Sequence, residues 1–311
     1  MNTTNKDHIK QALNEKGGVQ VWWRLLRPHT LTASFVPVFV GTMVAVNDES
    51  FNVWLFLAML FASMLIQSAT NMFNEYYDYV RGLDTEESVG IGGTIVRDGI
   101  KPKTVLHLAL SFYFISFLLG LYICSESSWW IALIGLVCMA LGYLYTGGPL
   151  PIAYTPLGEL FAGFFMGTVI IGISYFIQTG TMTPEVFWIS IPIAIFIGCI
   201  MLANNIRDLD GDKENGRKTI AILIGRPNAI RFLALLFITA IGLTAYYIVL
   251  GILPFWSLIT FIALPLVIKV IKNFWGKTQP LEMMPAMVAT GKTNTIYGFL
   301  LGISLLIEKL L

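Results

Sequence analysis

The sequence has few charged residues for its length. Only 13% of its 311 residues are Asp, Glu, Lys or Arg, about half the share found in a typical soluble domain. Hydrophobic residues make up 56% of the chain. They fall into blocks that approach the roughly 20 residues a helix needs to cross a bilayer. This composition excludes an ordinary soluble domain and predicts a polytopic membrane protein.

Cysteine and histidine are also scarce, with three of each. Cys124, Cys138 and Cys199 lie in or beside apolar blocks and show no metal-ligand spacing. They are therefore interpreted as packing residues and not as a disulfide framework. The net charge of +1 gives no support for a nucleic-acid partner, and nothing in the sequence implies a protein partner.

The apolar blocks predict an all-α fold, a bundle of nine transmembrane helices. Each block is interpreted as a helix because irregular backbone cannot face lipid. One transmembrane domain, 28–311, follows an N-terminal segment, 1–27. The predicted spans are 28–46, 52–74, 104–123, 128–146, 156–177, 186–206, 228–248, 252–271 and 293–311.

Positive charge is distributed unevenly between the two sides of this predicted bundle. Of the 20 Lys and Arg residues, 19 fall in segment 1–27, in the connections on the same side or at the span ends beside them, which leaves only Lys309 on the other. Because cytoplasmic loops of membrane proteins are enriched in Lys and Arg, the N-terminus and the long loops are predicted to be cytoplasmic. An odd number of spans then places the C-terminus outside.

Two of the predicted spans end in polar stripes on the cytoplasmic side. Residues four or seven positions apart share one face of a helix, and a carboxylate deep in a span costs about 2.5–3.5 kcal/mol on insertion scales. The same costly pattern on two helices at one membrane level indicates a shared cation. The stripes are Gln67, Asn71, Asn74 and Asp78 in the second span, and Asn204, Asn205, Asp208 and Asp212 in the sixth.

The chemistry of the side chains indicates which cation and which ligand. All the donors are oxygen atoms, which favours Mg²⁺, Ca²⁺ or Mn²⁺, and Mg²⁺ commonly completes its coordination with substrate phosphates. The constellation therefore suggests a Mg²⁺–diphosphate site beside an apolar space for a lipid tail. Two alternatives stay open: solvated helix ends paired with arginines, and a secondary transporter. The nearby basic residues are Arg81, Arg97, Arg207, Arg217 and Lys218.

Several runs of sequence resemble the motifs of intramembrane aromatic prenyltransferases. The run 74–85 (NEYYDYVRGLDT) is similar to their first aspartate-rich motif, and 204–212 (NNIRDLDGD) with 216–219 (GRKT) is similar to the second. Within that superfamily, 145–159 and 27–31 look most like the 1,4-dihydroxy-2-naphthoate polyprenyltransferases of menaquinone synthesis. Two departures are Glu75, where relatives usually have Asp, and the lack of Lys and Arg in the central loop.

The resemblance implies a reaction. A polyprenyl group would pass from polyprenyl diphosphate to 1,4-dihydroxy-2-naphthoate, with release of CO₂ and diphosphate, to give demethylmenaquinone. The enzyme would need Mg²⁺ and would lie in the plasma membrane with its active site facing the cytoplasm. Another aromatic acceptor, such as 4-hydroxybenzoate or homogentisate, is the alternative.

The motifs and the resemblance together assign candidate roles to individual residues. The catalytic candidates are Asp78, Arg207, Asp208 and Asp212. The metal-ligand candidates are Asn74, Asp78, Asp84, Asp208 and Asp212. The candidates for binding the substrate or its diphosphate are Asn74, Arg81, Arg97, Tyr145, Tyr154, Asn204, Asn205, Arg217 and Lys218. Candidates for lining the pocket of the allylic cation are Tyr76, Tyr77, Tyr143, Tyr145 and Tyr154.

Overall fold

The computed structural model describes residues 10–11, 16–84 and 93–311. Within these ranges the chain is helical and contains no β-strand. Segment 1–27 therefore falls only partly within the described residues, as does the end of the run 74–85.

Besides a short 3₁₀-helix at Ile152–Tyr154 and the helical residues 10–11, twelve helices follow one another along the described chain. α6 runs continuously through a π-helical segment, and α11 begins as a 3₁₀-helix over Phe255–Ala263. The elements are α1 Val19–Leu26, α2 Thr32–Asn47, α3 Val53–Val80, α4 Pro102–Glu126, α5 Trp130–Leu144, α6 Gly158–Thr179, α7 Pro184–Arg207, α8 Leu209–Glu214, α9 Ile220–Ile224, α10 Arg226–Val249, α11 Phe255–Phe274 and α12 Pro280–Leu310.

Six of these helices are long and apolar enough to cross a membrane, namely α3, α4, α6, α7, α10 and α11. Helices α2 and α5 are apolar but have only 16 and 15 residues, which at about 1.5 Å per residue is shorter than the hydrocarbon core. Each of the nine predicted spans overlaps a described helix. Length and composition alone therefore support six spans, and the count of nine stays a prediction.

Local sequence signals fix where the helices begin and end. The side chain of Asn52 caps α3 by accepting hydrogen bonds from the backbone N–H groups of Trp54 and Leu55, at 2.9 and 3.3 Å. Proline at the first helical position opens α4, α7 and α12, where its missing N–H costs no intrahelical bond. Helix α3 continues to Val80, beyond the predicted end of the second span, so Asn74 and Asp78 both lie on it.

The bundle is built around two groups of helices. Helices α2, α6, α7, α10, α11 and α12 share the main buried core. Helices α3 and α4 form the most extensive pair, and α5 packs beside them. Helix α1 packs against α3 through Leu25, which is fully buried. The two groups leave a space between α3, α4, α5, α6 and α7 that holds the candidate site.

Helix α12 begins earlier than the sequence predicted. The ninth span was predicted at 293–311, but the helix starts at Pro280. Its first half is rich in Met, Ala, Thr and Gly, and Met283, Ala286 and Thr290 are buried. This half packs inside the protein against α2 and α7, so it does not need the high hydropathy by which a lipid-facing span is recognised.

The two ends of the bundle differ in chemistry. The acidic ends of α3 and α7 lie together at one end, as described below. At the other end, Lys309 near the C-terminus of α12 forms an ion pair with Glu49 in the α2–α3 turn, at 2.8 Å. Beside it, Tyr175 near the end of α6 donates a 2.5 Å hydrogen bond to Asp48. The described C-terminus therefore lies at the end opposite to the polar stripes.

Candidate active site

The two polar stripes face one cavity of about 570 Å³. Helical spacing puts each stripe on one face of its helix, and the packing of α3 near α7 turns both faces inward. All eight stripe residues line the cavity. Of the other predicted site residues, Asp84, Arg97, Tyr145, Arg207 and Arg217 also line it.

Arg217 connects the two stripes directly. One of its terminal nitrogens lies 2.8 Å from Asp78 Oδ1, and the other lies 2.9 Å from Asp212 Oδ1. The planar guanidinium can contact two carboxylates at once, which a lysine ammonium cannot do with the same geometry. The guanidinium also stacks over the ring of Tyr154, 4.8 Å from its centroid. Burial alone would lower the pKa of Arg217, but the negative charges of Asp78 and Asp212 outweigh it and raise that pKa further above its usual range.

Other side chains hold the remaining members of the stripes. Buried Arg207 makes a two-pronged contact with Asp208, at 2.7 and 2.6 Å. On α3, the amide of Asn74 donates to Asp78 at 3.2 Å and its carbonyl oxygen accepts from Arg27 at 2.8 Å. The carboxylates of the site are therefore held by arginines and amides in fixed orientations, as far as the described residues extend.

Two carboxyl groups outside the spanning helices have raised pKa values. Burial raises the pKa of Asp84 to about 7, and the negative charge of Asp78 adds to the effect. Burial also raises the pKa of Asp212 to about 7, partly offset by Arg217. Desolvation and neighbouring like charge both disfavour the ionised form. Both shifts would be reversed by a cation bound between these groups.

The oxygen donors fit Mg²⁺ in type and place. No three His, Cys, Asp or Glu side chains among the described residues are close enough to hold a metal by themselves. That arrangement fits an ion that takes one or two carboxylates from the protein and completes its shell with water and substrate phosphate. A metal cage made of protein ligands alone does not fit. The residues suited to Mg²⁺ are Asn74, Asp78, Asp84, Asp208 and Asp212.

Glu75 points away from the cavity, unlike its neighbours in the first motif. Its side chain is 1% exposed, and Oε1 accepts hydrogen bonds from the hydroxyl of Thr94 and from the backbone N–H of Ile95, the latter at 3.1 Å. It therefore anchors the loop that carries Arg97, a buried residue that lines the cavity. Gly93 adopts φ +64°, and a Cβ there would collide with the Arg97 guanidinium.

Three predicted binding residues are not among those lining the cavity: Arg81, Tyr154 and Lys218. Arg81 donates to the backbone carbonyls of Thr146 and Gly148, at 2.6 and 2.9 Å, and so holds the central loop in place. Tyr154 lies between the guanidinium groups of Arg81 and Arg217. Lys218 is exposed, and its backbone N–H donates to Tyr154. In the structure these three residues support the loops around the site.

The cavity continues from the polar end into an apolar channel. Along α3 the lining extends from Asp78 to Met59, a length of about 28 Å at about 1.5 Å per residue. The remaining lining is mostly aliphatic, with Ile66, Ile131 and Ile173 contributed by different helices. Tyr145, directly after α5, also lines the cavity. Of the other candidate tyrosines, Tyr77 and Tyr143 share a 2.5 Å hydrogen bond outside the cavity lining.

Two contacts at the site were not predicted from the sequence. No pattern assigned a role to Arg27, although a basic residue just before the first span was a usable signal, and it binds Asn74. Glu159 was visible as an acidic residue at the start of a span, and it accepts a 2.8 Å hydrogen bond from Asn205. Both contacts join residues more than 40 positions apart, so only the packing of the helices reveals them.

Fold and site together define an intramembrane enzyme for an amphiphile with an anionic head group. The model of the UbiA prenyltransferase family matches residues 34–289. The chain belongs to the UbiA prenyltransferase family.

Individual relatives agree with this assignment. The chain is 54% identical over 308 residues to 1,4-dihydroxy-2-naphthoate octaprenyltransferase of Bacillus subtilis (strain 168), an alignment covering 99% of each protein. It is 27% identical over 311 residues to the protein of the same name from Escherichia coli (strain K12), covering 92% of this chain and 96% of the relative.

Solved structures share the fold. The apo structure of a UbiA homolog from Aeropyrum pernix K1 has a TM-score of 0.64 at 16% identity and covers 90% of this chain and 98% of its own. A UbiA homolog from Archaeoglobus fulgidus bound to GPP and Mg²⁺ has a TM-score of 0.58 at 17% identity, with the same coverage. Because the chain belongs to a prenyltransferase family, the transporter alternative is set aside.

Proposed function

We propose that this protein transfers a polyprenyl group from polyprenyl diphosphate to 1,4-dihydroxy-2-naphthoate and gives the reduced, dihydroxy form of demethylmenaquinone. The observation that carries the proposal is the contact of Arg217 with both Asp78 and Asp212 at the polar end of an apolar channel. It offers charge for a diphosphate and space for a lipid tail. The acceptor is taken from the Bacillus subtilis relative, whose identity of 54% extends over nearly the whole chain.

The reaction balances without an external oxidant or reductant. The bond between the first prenyl carbon and the diphosphate oxygen breaks, and its electron pair leaves with the diphosphate. The ring carbon that carries the carboxylate forms the new carbon–carbon bond. The carboxylate then leaves as CO₂, and its bonding electrons return to the ring.

The protein's own residues have three tasks in this reaction. Arg207 and Arg217 bring positive charge to the polar end, where negative charge develops on the leaving diphosphate. The aliphatic channel orients the tail and excludes water from the allylic cation. Tyr145 lines the same cavity, where an aromatic ring can stabilise that cation.

Mg²⁺ is proposed as the cofactor. One or two carboxylates drawn from Asp78, Asp84, Asp208 and Asp212, together with Asn74, would hold it, and it would supply further positive charge to the diphosphate. The oxygen-only donor set supports this choice. So do the raised pKa values of Asp84 and Asp212, because burial disfavours the ionised form of each carboxyl group and a bound cation would favour it.

We further propose nine membrane spans forming one domain, 28–311, in the plasma membrane, with the N-terminus and the site on the cytoplasmic side. The concentration of 19 of the 20 Lys and Arg residues near one end supports this orientation. The short helices α2 and α5 count as spans because they pack within the bundle beside longer ones.

The activity is tested with purified protein in lipid nanodiscs, supplied with polyprenyl diphosphate, 1,4-dihydroxy-2-naphthoate and Mg²⁺. We expect prenylated, decarboxylated product by mass spectrometry. Variants D78A and D208A should lose it, while E214A, which removes an exposed acid from α8, should retain it. Full activity of both site variants would contradict the site, and preferred turnover of 4-hydroxybenzoate would contradict the acceptor.

The orientation is tested by labelling engineered cysteines with a maleimide that does not cross membranes. With the three native cysteines replaced by serine, S125C, near the C-terminal end of α4, should react in intact cells. K277C, in the α11–α12 connection, should react only after the membrane is opened. The reverse pattern would contradict the proposed orientation.

A further inference from the structure

Glu159 forms a buried pair with Asn205 beside the cavity. It is the second residue of α6 and is 6% exposed. Its Oε1 accepts a 2.8 Å hydrogen bond from the side-chain nitrogen of Asn205 on α7. Asn205 lines the cavity, whereas Glu159 is not one of the lining residues. Glu159 therefore acts on the cavity through Asn205.

The pair fixes which end of the amide faces the cavity. An Asn side chain has an NH₂ group that donates and a carbonyl oxygen that accepts, and an ionised carboxylate only accepts. The contact with Glu159 consequently turns the NH₂ group of Asn205 towards α6. The carbonyl oxygen Oδ1 is left to accept a hydrogen bond from a group inside the cavity.

Asn205 is the member of the α7 stripe whose side chain contacts α6. It lies about 100° of helix from Asn204 but only about 60° from Asp208, and its amide reaches Glu159 on α6. The hydroxyl of Tyr145 lies near the same end of α6, 3.2 Å from the ideal position of a Cβ on Gly158. The oxygens of an ionised diphosphate only accept hydrogen bonds, so the carbonyl oxygen of Asn205 calls for a ligand that carries a donor group.

A helix-dipole interaction does not explain the pair. An acid near a helix N-terminus is stabilising even when solvated. Glu159 is buried, and its second oxygen, Oε2, has no hydrogen-bond partner in the part of the chain that the structure describes. Burying an oxygen of this kind without a partner is unfavourable for stability, which points to a function for the pair.

We propose that Glu159 is a positioning residue that orients Asn205 to accept a hydrogen bond from a ring hydroxyl of the aromatic acceptor. The inference rests on the proposed function and deepens it. A site built to bond a hydroxyl discriminates strongly against analogues that lack it, because its own polar group is then left unpaired. Glu159 and Asn205 together therefore select hydroxylated acceptors.

The first test reverses the polarity of the hydrogen bond. N205D sets two carboxylates against each other and should lower kcat/KM for dihydroxynaphthoate by at least about tenfold. E159Q alone keeps an accepting oxygen and should stay close to wild type. In E159Q/N205D the new glutamine donates to the new aspartate, and most of the loss should be recovered. Failure of E159Q to rescue N205D would overturn the proposal.

The second test measures recognition of the hydroxyl. The wild-type protein should be inhibited more strongly by 1-hydroxy-2-naphthoate than by 2-naphthoate. In E159A the ratio of the two inhibition constants should fall by about tenfold. KM for polyprenyl diphosphate should stay close to wild type in E159A. The matched control is E185A, which removes an exposed first-turn acid from α7 and should leave the ratio unchanged.

The outcomes separate the two proposals. Absence of transfer to dihydroxynaphthoate by the wild-type protein would overturn the proposed function. An active wild-type protein whose hydroxyl selectivity survives E159A would overturn the positioning role alone. An equal rise of both KM values in E159A would also overturn it, because that pattern indicates a general structural defect.

Discussion

Arg217 holds together two motifs that lie far apart in the chain. Asp78 and Asp212 are on different elements, and their carboxylates would repel one another across the cavity without a cation between them. The Arg217 side chain is only 13% exposed, so its charge is screened weakly by solvent. A buried charge that loses its partner is strongly destabilising, and the three residues therefore function as a unit.

We predict that R217A lowers kcat/KM for polyprenyl diphosphate by about 100-fold, in the range seen when one charge-stabilising donor is removed from an active site. R217K should retain part of the activity, since it keeps the charge but not the forked contact with two carboxylates. Steady-state kinetics with varied polyprenyl diphosphate measures both. R231A is the control, because Arg231 is exposed, bonds the side chain of Asn228 and does not line the cavity.

Glu75 provides a second prediction at the scale of one residue. Both its hydrogen bonds use Oε1, and Oε2 has no partner among the described residues. E75Q should therefore keep near-normal activity and Mg²⁺ dependence, whereas E75A should release the loop that carries Arg97 and cost about 1–3 kcal/mol of stability. Activity titrated against Mg²⁺ and thermal unfolding measure the two effects. A large loss of apparent Mg²⁺ affinity in E75Q would show instead that Glu75 ligates the metal.

At the scale of helical elements, the contact of α6 with α7 sets the position of Asn205. Gly163 lies so close to α7 that a Cβ there would be 2.6 Å from the backbone oxygen of Ala194. The π-helical segment Gly163–Val169 begins at this contact. π-Bulges are frequent at functional sites, and this one lies one turn beyond Glu159.

We predict that G163A destabilises the protein by about 1–3 kcal/mol, because it overpacks a close helix contact. It should also weaken binding of the aromatic acceptor, since α6 carries Glu159. The matched control is G242A on α10, where a Cβ meets no atom within 4 Å. Alanine is a better helix former than glycine, so G242A should be neutral or stabilising. Thermal unfolding in one lipid composition compares the two, and equal melting temperatures would contradict the packing argument.

At the scale of the whole molecule, stability depends on the charge state of the site. The pKa values of Asp84 and Asp212 are raised to about 7. Between about pH 4 and pH 7 the folded protein therefore binds more protons at these groups than the unfolded chain does. In the absence of metal, their contribution to stability falls as the pH rises through this window.

We predict that Mg²⁺ raises the melting temperature more at pH 8 than at pH 6. Metal ligands must be deprotonated, so metal binding competes with the two protons at the lower pH. Thermal unfolding with and without Mg²⁺ at both pH values measures the difference. In D84N/D212N both the metal-free pH dependence and the Mg²⁺ effect should shrink. A pH-independent Mg²⁺ effect in the wild-type protein would contradict this account.

Much of the fold was accessible from the sequence. The helical segments, the facing stripes and the concentration of positive charge at one end follow from hydropathy and helical period. The start of α12 was missed because its first half is buried by protein and not by lipid, so its sequence lacks a span's hydropathy. The successful predictions were those that rested on patterns local in the sequence, namely hydropathy and helical period.

Sequence patterns placed the helical residues of the candidate site more successfully than its loop residues. Asp78, Asp208 and Asp212 reach the cavity because helical spacing fixes the face on which they lie. Side chains in loops have no such period, so Arg81 and Lys218 were assigned to the ligand although they do not line the cavity. Glu75 belongs to the first motif and departs from it in side-chain length, and because it is one position from Asn74 it lies on a different face of α3.

The sequence by itself determined a helical membrane protein with oxygen ligands and positive charge at one end, because residue chemistry and helical period are local properties. Only the tertiary structure decided which charges meet: Arg217 with Asp78 and Asp212, Arg27 with Asn74, and Glu159 with Asn205. Each of these pairs depends on how distant helices and loops pack, and the cavity they enclose exists only after that packing.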